Sequence, residues 1–243
     1  MYVYRYIYVK KDVIRAQTPL TFRHITHYIY MERPVHIFLT VPHCMNDAHI
    51  NTRHCDRTAL RVAQLLEQAI RGLDLPGVHV TVVPGTTYRS QLDLNRPIAR
   101  MSTWRCDLRA QLQRCMQGGN AYVIVMDIHS FDKTDCSSSL LPPGTDKHVA
   151  FLLDCAGAKR SSLSSARTLL MDVCQNQFDD RKDAVGLYRG SAINDIVSES
   201  QHLGAHECIF LSVNESADPA DTALLAAAVA QWIHILYDAQ HKM

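Results

Sequence analysis

Residues 121–132 read AYVIVMDIHSFD. Tyr122, Val123, Ile124, Val125 and Met126 form an unbroken apolar run, short and rich in β-branched residues, which predicts a strand buried in a sheet. The run stops on Asp127, His129 and Ser130. Polar residues gathered at the C-terminal end of a buried strand need a reason, and the neighbouring segments supply one. VHIFLTVP (35–42) predicts another strand, with a loop beginning at His43. Residues 55–73 place Ala59, Leu60, Val62, Ala63, Leu65, Leu66, Ala69 and Ile70 at helical spacing, with Asp56 in or just before the first turn. VHVTVVP (78–84) predicts a strand, and 100–119 a helix stopped by Gly118 and Gly119. Strands alternating with helices predict an α/β fold on a largely parallel sheet. In such sheets ligand sites gather beyond the C-terminal strand ends. His43, the 85–97 loop and His129 all fall there.

Beyond residue 132 the pattern weakens. Residues 133–147 read as a turn-rich loop, 148–156 as a strand, 161–177 as a helix, 206–214 as a last buried strand and 218–240 as an amphipathic helix with Asp218 or Asp221 near its N-cap. No Gly-, Ser- or Pro-rich linker divides the chain. Residues 1–33, with the Tyr-rich start MYVYRYIYVKK, read as an N-terminal extension, and 34–243 as one domain.

The chain has 243 residues, 47% apolar and 20% charged, with a formal net charge of +1, enough for a sizeable core and with no basic surplus to hold nucleic acid. The start of the chain is a poor signal peptide and too short to span a membrane. Its eight cysteines are spread out with no C-x-x-C pair, which points to reduced thiols and a cytoplasmic location. No G-x-G-x-x-G, P-loop or G-x-S-x-G is present. Ser130 beside His129 does not make a nucleophile pair, because adjacent strand residues point to opposite faces.

The candidate chemistry is metal-dependent. His43, Asp56 and His129 lie at three element ends on one sheet edge, and two histidines with a carboxylate are a known catalytic zinc set. Asp47, His49 and His54 lie close to His43 in sequence and compete with Asp56; Asp56 ranks first because a helix start is more rigid than a loop. In QLDLNRP (91–97), Asn95 and Arg96 put an amide beside a guanidinium suited to a carboxylate, and Asp93 could orient Arg96 or hydrogen-bond the loop. In 188–200, Asn194 and Asp195 either line a pocket or start a helix capped by Ser191 or Asn194.

Taken in order, VPHCMND, CDRTAL, DLNRP and VMDIHSF resemble the N-formylglutamate amidohydrolase family, across residues 35–215. That family carries a Pro-His-Ser-Gly stretch, an acidic residue at the next helix start, Asp-Leu-Asn-Arg-Pro and Asp-x-His-Ser. The layout is also similar to zinc-dependent N-acetylmuramoyl-L-alanine amidases and, more distantly, to zinc carboxypeptidases and aspartoacylases. The resemblance implies a phosphorylase/hydrolase-like three-layer α/β/α sandwich with a mixed, mainly parallel central sheet. It implies a Zn2+ ion on His43, Asp56 and His129, and hydrolysis of an amide in a small N-acyl amino acid whose carboxylate Arg96 and Asn95 hold. Asp127 would steady His129 or the loop. Arg89 and Arg105 would help neutralise an acidic substrate or simply face solvent.

Two departures stand out. Cys44-Met45 replaces the family's Ser-Gly after the first histidine. In IFLSVNES (209–216), Ser212 stands where the family places a general-base Glu, and a serine is a poor proton acceptor. Glu215 is the candidate replacement if the strand ends early; Glu207 would require a disturbed register. A second reading follows, a catalytically impaired binding or structural protein, and cell-wall amidase chemistry is a third.

Overall fold

A computed structural model describes residues 33–45, 56, 58–117, 119–131, 151–154, 165–178, 185–188 and 194–241. The chain divides into two units, Met1–Met31 and Glu32–Met243, and every described residue belongs to the second.

The strands are β1 (Val35–Val41), β2 (Val78–Pro84), β3 (Tyr122–Phe131), β4 (Phe151–Asp154), β5 (Val185–Tyr188) and β6 (Glu207–Asn214). The helices are α1 (Ala59–Arg71), α2 (Thr103–Met116), α3 (Ser165–Gln177), α4 (Asp195–His202) and α5 (Pro219–His241), with a short 3₁₀ turn at Pro97–Met101. The strands form one six-stranded sheet in the order β2-β1-β3-β6-β4-β5. β2, β1, β3 and β6 run parallel, while β4 is antiparallel to β6 and parallel to β5. The mixed, mainly parallel sheet expected from the sequence is therefore the one observed.

Side-chain alternation builds the two outer layers. Val35, Ile37, Leu39 and Val41 of β1, Ile124, Met126 and Ile128 of β3, and Ile209, Leu211 and Val213 of β6 share one core with α1, α3 and α5. Ala59, Val62, Ala63, Leu66 and Ile70 are the buried stripe of α1. α5 is long and apolar enough to cross a membrane by length and composition, yet Leu225, Ala228, Val229, Trp232 and Ile233 pack into this core, and Trp232 Nε1 donates to Ala166 O of α3 at 2.7 Å. Phe38, Val123, Val125 and Cys208 face the other way and pack with Trp104, Leu108 and Leu112 of α2 and Ile196 and Val197 of α4.

The second face carries the polar residues of the strand ends. Thr40 pairs in register with Asp127, and His129 with Ser212. All four are buried and alternate onto the α2/α4 side. Burying a histidine and a carboxylate on that face costs free energy unless they find partners, and the partners define the site.

Candidate metal centre

β1 ends at Val41 and delivers His43 two residues later. The turn there is tight: Gly85 N donates to Val41 O at 2.8 Å, and a Cβ on Gly85 would lie 2.1 Å from the Pro42 carbonyl oxygen. Only glycine lets the chain leaving β2 pass this close. Asp56 lies in the turn ahead of α1, which begins at Ala59, rather than within the helix. Its N–H donates to His43 O at 3.2 Å and its own carbonyl accepts from Ala59 N at 3.3 Å. The backbone thus links one candidate ligand to the next. β3 delivers His129, whose ring lies with its centroid 5.0 Å from that of Phe210 on β6.

His43, Asp56 and His129 converge, with their ligand atoms all within 4.8 Å of one another and all three residues buried. Both imidazoles turn Nδ1 toward Asp56 Oδ2, at 3.3 Å from His43 and 2.7 Å from His129. Although buried, Asp56 Oδ2 takes no well-directed hydrogen bond among the described residues. A buried carboxylate oxygen between two ring nitrogens, with poor hydrogen-bond geometry to both, is a donor set that suits a cation.

The opposite ring nitrogens are braced by acids. His43 Nε2 lies 2.7 Å from Asp93 Oδ1, and His129 Nε2 lies 2.8 Å from Asp127 Oδ2. Asp127 also accepts from Thr40 Oγ1 at 2.6 Å and from Asn194 Nδ2 at 2.6 Å. This is the carboxylate–histidine arrangement that orients a metal-binding ring and leaves Nδ1 as the ligand atom. Burial would raise the Asp56 carboxyl, but the His129 and His43 rings outweigh it and hold the group well below the usual carboxylate range. Asp127 is lowered in the same way by His129, Thr40 and Asn194. Burial would lower His129, but Asp127 and Asp56 on either side push it up to about 10.

The remaining sequence candidates divide. Asp93 does orient Arg96, whose Nε donates to Asp93 Oδ2 at 3.2 Å, but its other oxygen holds His43. Arg89 Nε also lies 3.6 Å from Asp93 Oδ2, so two guanidinium groups flank the acid. Asn95 turns inward: its Oδ1 accepts from Ile196 N at 3.3 Å and its Nδ2 lies 3.2 Å from His129 Nε2. Arg96 keeps a partly exposed head group, with 42% of its side chain accessible. Glu215 is brought to Ser130, whose Oγ donates to Glu215 Oε1 at 2.9 Å. Ser130 alternates onto the face opposite His129. Ser212 sits across from His129 on the site's own face. Asp47, His49 and His54 lie outside the described residues.

One expectation is corrected, and one condition set for Glu207 is not met. Arg105 does not face substrate or solvent; it is fully buried and bonded to Leu94 O, Asp195 and Glu199. The β6 register is undisturbed, so Glu207 faces the α3 side, where Arg167 Nε lies 3.8 Å away and the Tyr122 hydroxyl donates to it at 3.3 Å. Of the two roles considered for Asn194, it takes the helix cap, through Val197 N at 2.9 Å, and it also donates to Asp127.

No family model matches the sequence, and no curated protein matches it. Solved structures do. A gene product of Agrobacterium tumefaciens superposes with a TM-score of 0.51 at 16% identity, covering 87% of this chain and 91% of that one. A metallo-carboxypeptidase of Burkholderia cenocepacia superposes with a TM-score of 0.52 at 13% identity, covering 85% of this chain but 58% of the other. The N-formylglutamate amidohydrolase of Ralstonia eutropha gives a TM-score of 0.50 at 11% identity, covering 86% and 94%. The chain has the α/β fold of these three structures, two of which are named as an amidohydrolase and a metallo-carboxypeptidase. Of the two named enzymes, the N-formylglutamate amidohydrolase is the one matched over nearly its whole length, and its fold is the one implied by the DLNRP and DIHSF stretches.

Proposed function

We propose that this chain is a zinc-dependent amidohydrolase acting on a small N-acyl amino acid or peptide-like amide that bears a carboxylate. The observation that carries the reading is the convergence of His43 Nδ1, His129 Nδ1 and the Asp56 oxygen, each imidazole braced from behind by its own carboxylate. The fold, shared with an amidohydrolase and a metallo-carboxypeptidase, supports it.

His43, Asp56 and His129 would hold the ion. Bound there, zinc supplies Lewis-acid chemistry, polarising a carbonyl and lowering the pKa of water. The chain's own residues do the rest. Asp93 and Asp127 fix the two rings and favour the Nε2–H form, which leaves each Nδ1 lone pair for the metal. Arg96, partly exposed and steadied by Asp93, would take the substrate carboxylate, with Arg89 adding positive charge beside it. Asn95 has its Oδ1 on Ile196 N and its Nδ2 beside the His129 ring, and would support the site from within the fold. A cytoplasmic setting fits a small-molecule substrate of this kind.

A second reading, a metal-binding protein with impaired hydrolysis, is favoured by one observation. The position opposite His129 is Ser212, and the nearest candidate base in sequence, Glu215, is engaged by Ser130. Steady-state assays of zinc-loaded protein on N-formyl, N-acetyl and N-succinyl amino acids separate the two. Turnover that disappears with a chelator and returns with zinc supports the hydrolase; stoichiometric zinc with no turnover on any of them supports the impaired protein.

A further inference from the structure

Arg105 lies near the start of α2, on the face that packs against the sheet, with no exposed surface. A buried guanidinium is costly unless its donors are met. Here they are met by two separate pieces of chain. Nη1 donates to Leu94 O at 2.8 Å; Nη2 donates to Asp195 Oδ2 at 3.0 Å and to Asp195 O at 3.4 Å; Nε donates to Glu199 Oε2 at 3.0 Å. The two acids carry outer partners as well. Arg100 Nε donates to Asp195 Oδ2 at 2.9 Å, and Arg109 Nε donates to Glu199 Oε1 at 3.1 Å.

The residues next to these anchor points are informative. Leu94 precedes Asn95, and Asp195 follows Asn194. Those asparagines are the two amides that reach the far side of the His129–Asp127 pair, Asn95 Nδ2 at 3.2 Å from His129 Nε2 and Asn194 Nδ2 at 2.6 Å from Asp127 Oδ2. Their other amide atoms satisfy the first turn of α4: Asn95 Oδ1 accepts from Ile196 N and Asn194 Oδ1 from Val197 N. The opening N–H groups of a helix have no partner within it, so these two amides report on the asparagines.

We propose that Arg105 is a positioning residue for the metal centre: by clamping Leu94 and Asp195 to one buried guanidinium, it holds Asn95 and Asn194 against His129 and Asp127. The inference rests on the reading of His129 as a ligand. A planar fork with fixed donor directions can bridge a backbone carbonyl and two carboxylates at once; a lysine ammonium on a flexible stem retains the charge but loses that span.

The test compares the full-length wild type with Arg105→Lys and with Arg100→Lys, which makes the same exchange at an outer partner of Asp195 but leaves the clamp. Two quantities are read. Zinc affinity is measured by competition with a chromophoric chelator. Amide hydrogen exchange in the metal-free protein is measured at Ile196 and Val197, relative to Leu39 and Met126 in the central strands. Arg105→Lys is expected to weaken zinc binding about tenfold, as loss of support behind a metal ligand does. It is also expected to speed Ile196 and Val197 exchange while the strand amides keep their rates; Arg100→Lys changes neither quantity appreciably. The proposal is overturned if Arg105→Lys leaves Ile196 and Val197 exchange unchanged, if all amides accelerate together, or if Arg100→Lys has the same effects. Should wild-type protein bind no zinc, the metal reading fails, and the exchange data alone still decide whether Arg105 holds the asparagines.

Discussion

Asp127→Asn isolates the charge behind His129 from the shape around it. Asp127 is fully buried and takes hydrogen bonds from Thr40 Oγ1 at one oxygen, and from His129 Nε2 and Asn194 Nδ2 at the other. An asparagine can keep its oxygen toward His129 and Asn194 and turn its amide toward Thr40. Thr40 can then accept from that amide while its hydroxyl donates to Met126 O, already 3.4 Å away. One amide hydrogen then meets Thr40 while the second has no partner among the described residues, a cost that unfolding reads; what the substitution removes at His129 is the negative charge that makes it a better ligand. Losing such a partner costs about 10- to 100-fold in metal affinity, or about 1.4 to 2.7 kcal/mol. Competition titration with a chromophoric chelator at constant pH measures this directly, with urea unfolding of the metal-free proteins as a check on the fold. A folded Asp127→Asn protein with zinc affinity within about twofold of wild type would refute the argument that the carboxylate supports the ligand.

Three other outcomes are expected. Arg96→Ala should lower kcat/KM for carboxylate-bearing substrates about tenfold, the low end for a charge-assisted contact because the side chain is partly exposed, and leave zinc content unchanged. In the metal-free protein His129 is pushed up to about 10, so zinc must displace its proton; affinity should rise roughly tenfold per pH unit between about pH 7 and 9, with one proton released as read by calorimetry in buffers of different ionisation enthalpy. Asp195 and Glu199 are held below their ordinary values of 3.8 and 4.5, burial opposing and the Arg100, Arg105 and Arg109 contacts prevailing. The unfolded chain then binds more protons than the native one in acid, so stability is present above these values and lost as pH falls through them; Asp195→Asn with Glu199→Gln should flatten urea midpoints between about pH 5 and 3.

The sequence made the first half of the fold readable because β1 and β3 are largely apolar on both faces and α1 carries a clean stripe. β1, β3 and α1 lie within a few residues of their expected bounds. β5 has only four residues and α4 eight, too little pattern to stand out, and nothing local told β4 to run antiparallel. The same limit applies to the site. His43, Asp56 and His129 were legible because each lies near an element end on one sheet edge, although β3 runs on through His129 to Phe131 instead of stopping before it. Asp93 holding His43 spans 50 residues, and Asn194 holding Asp127 spans 67, contacts that only the strand order creates. Arg105 read as a charge for substrate or solvent because the acids that bury it lie far along the chain, 90 residues away for Asp195 and 94 for Glu199.

The central claim is that His43, Asp56 and His129 form one metal site. Elemental mass spectrometry of protein loaded with zinc and freed of excess tests it, with His43→Ala, Asp56→Ala and His129→Ala beside the wild type. The account predicts about one zinc per wild-type chain and a substoichiometric amount in all three variants. Wild-type protein that retains no zinc, or variants that retain as much as wild type, would contradict it.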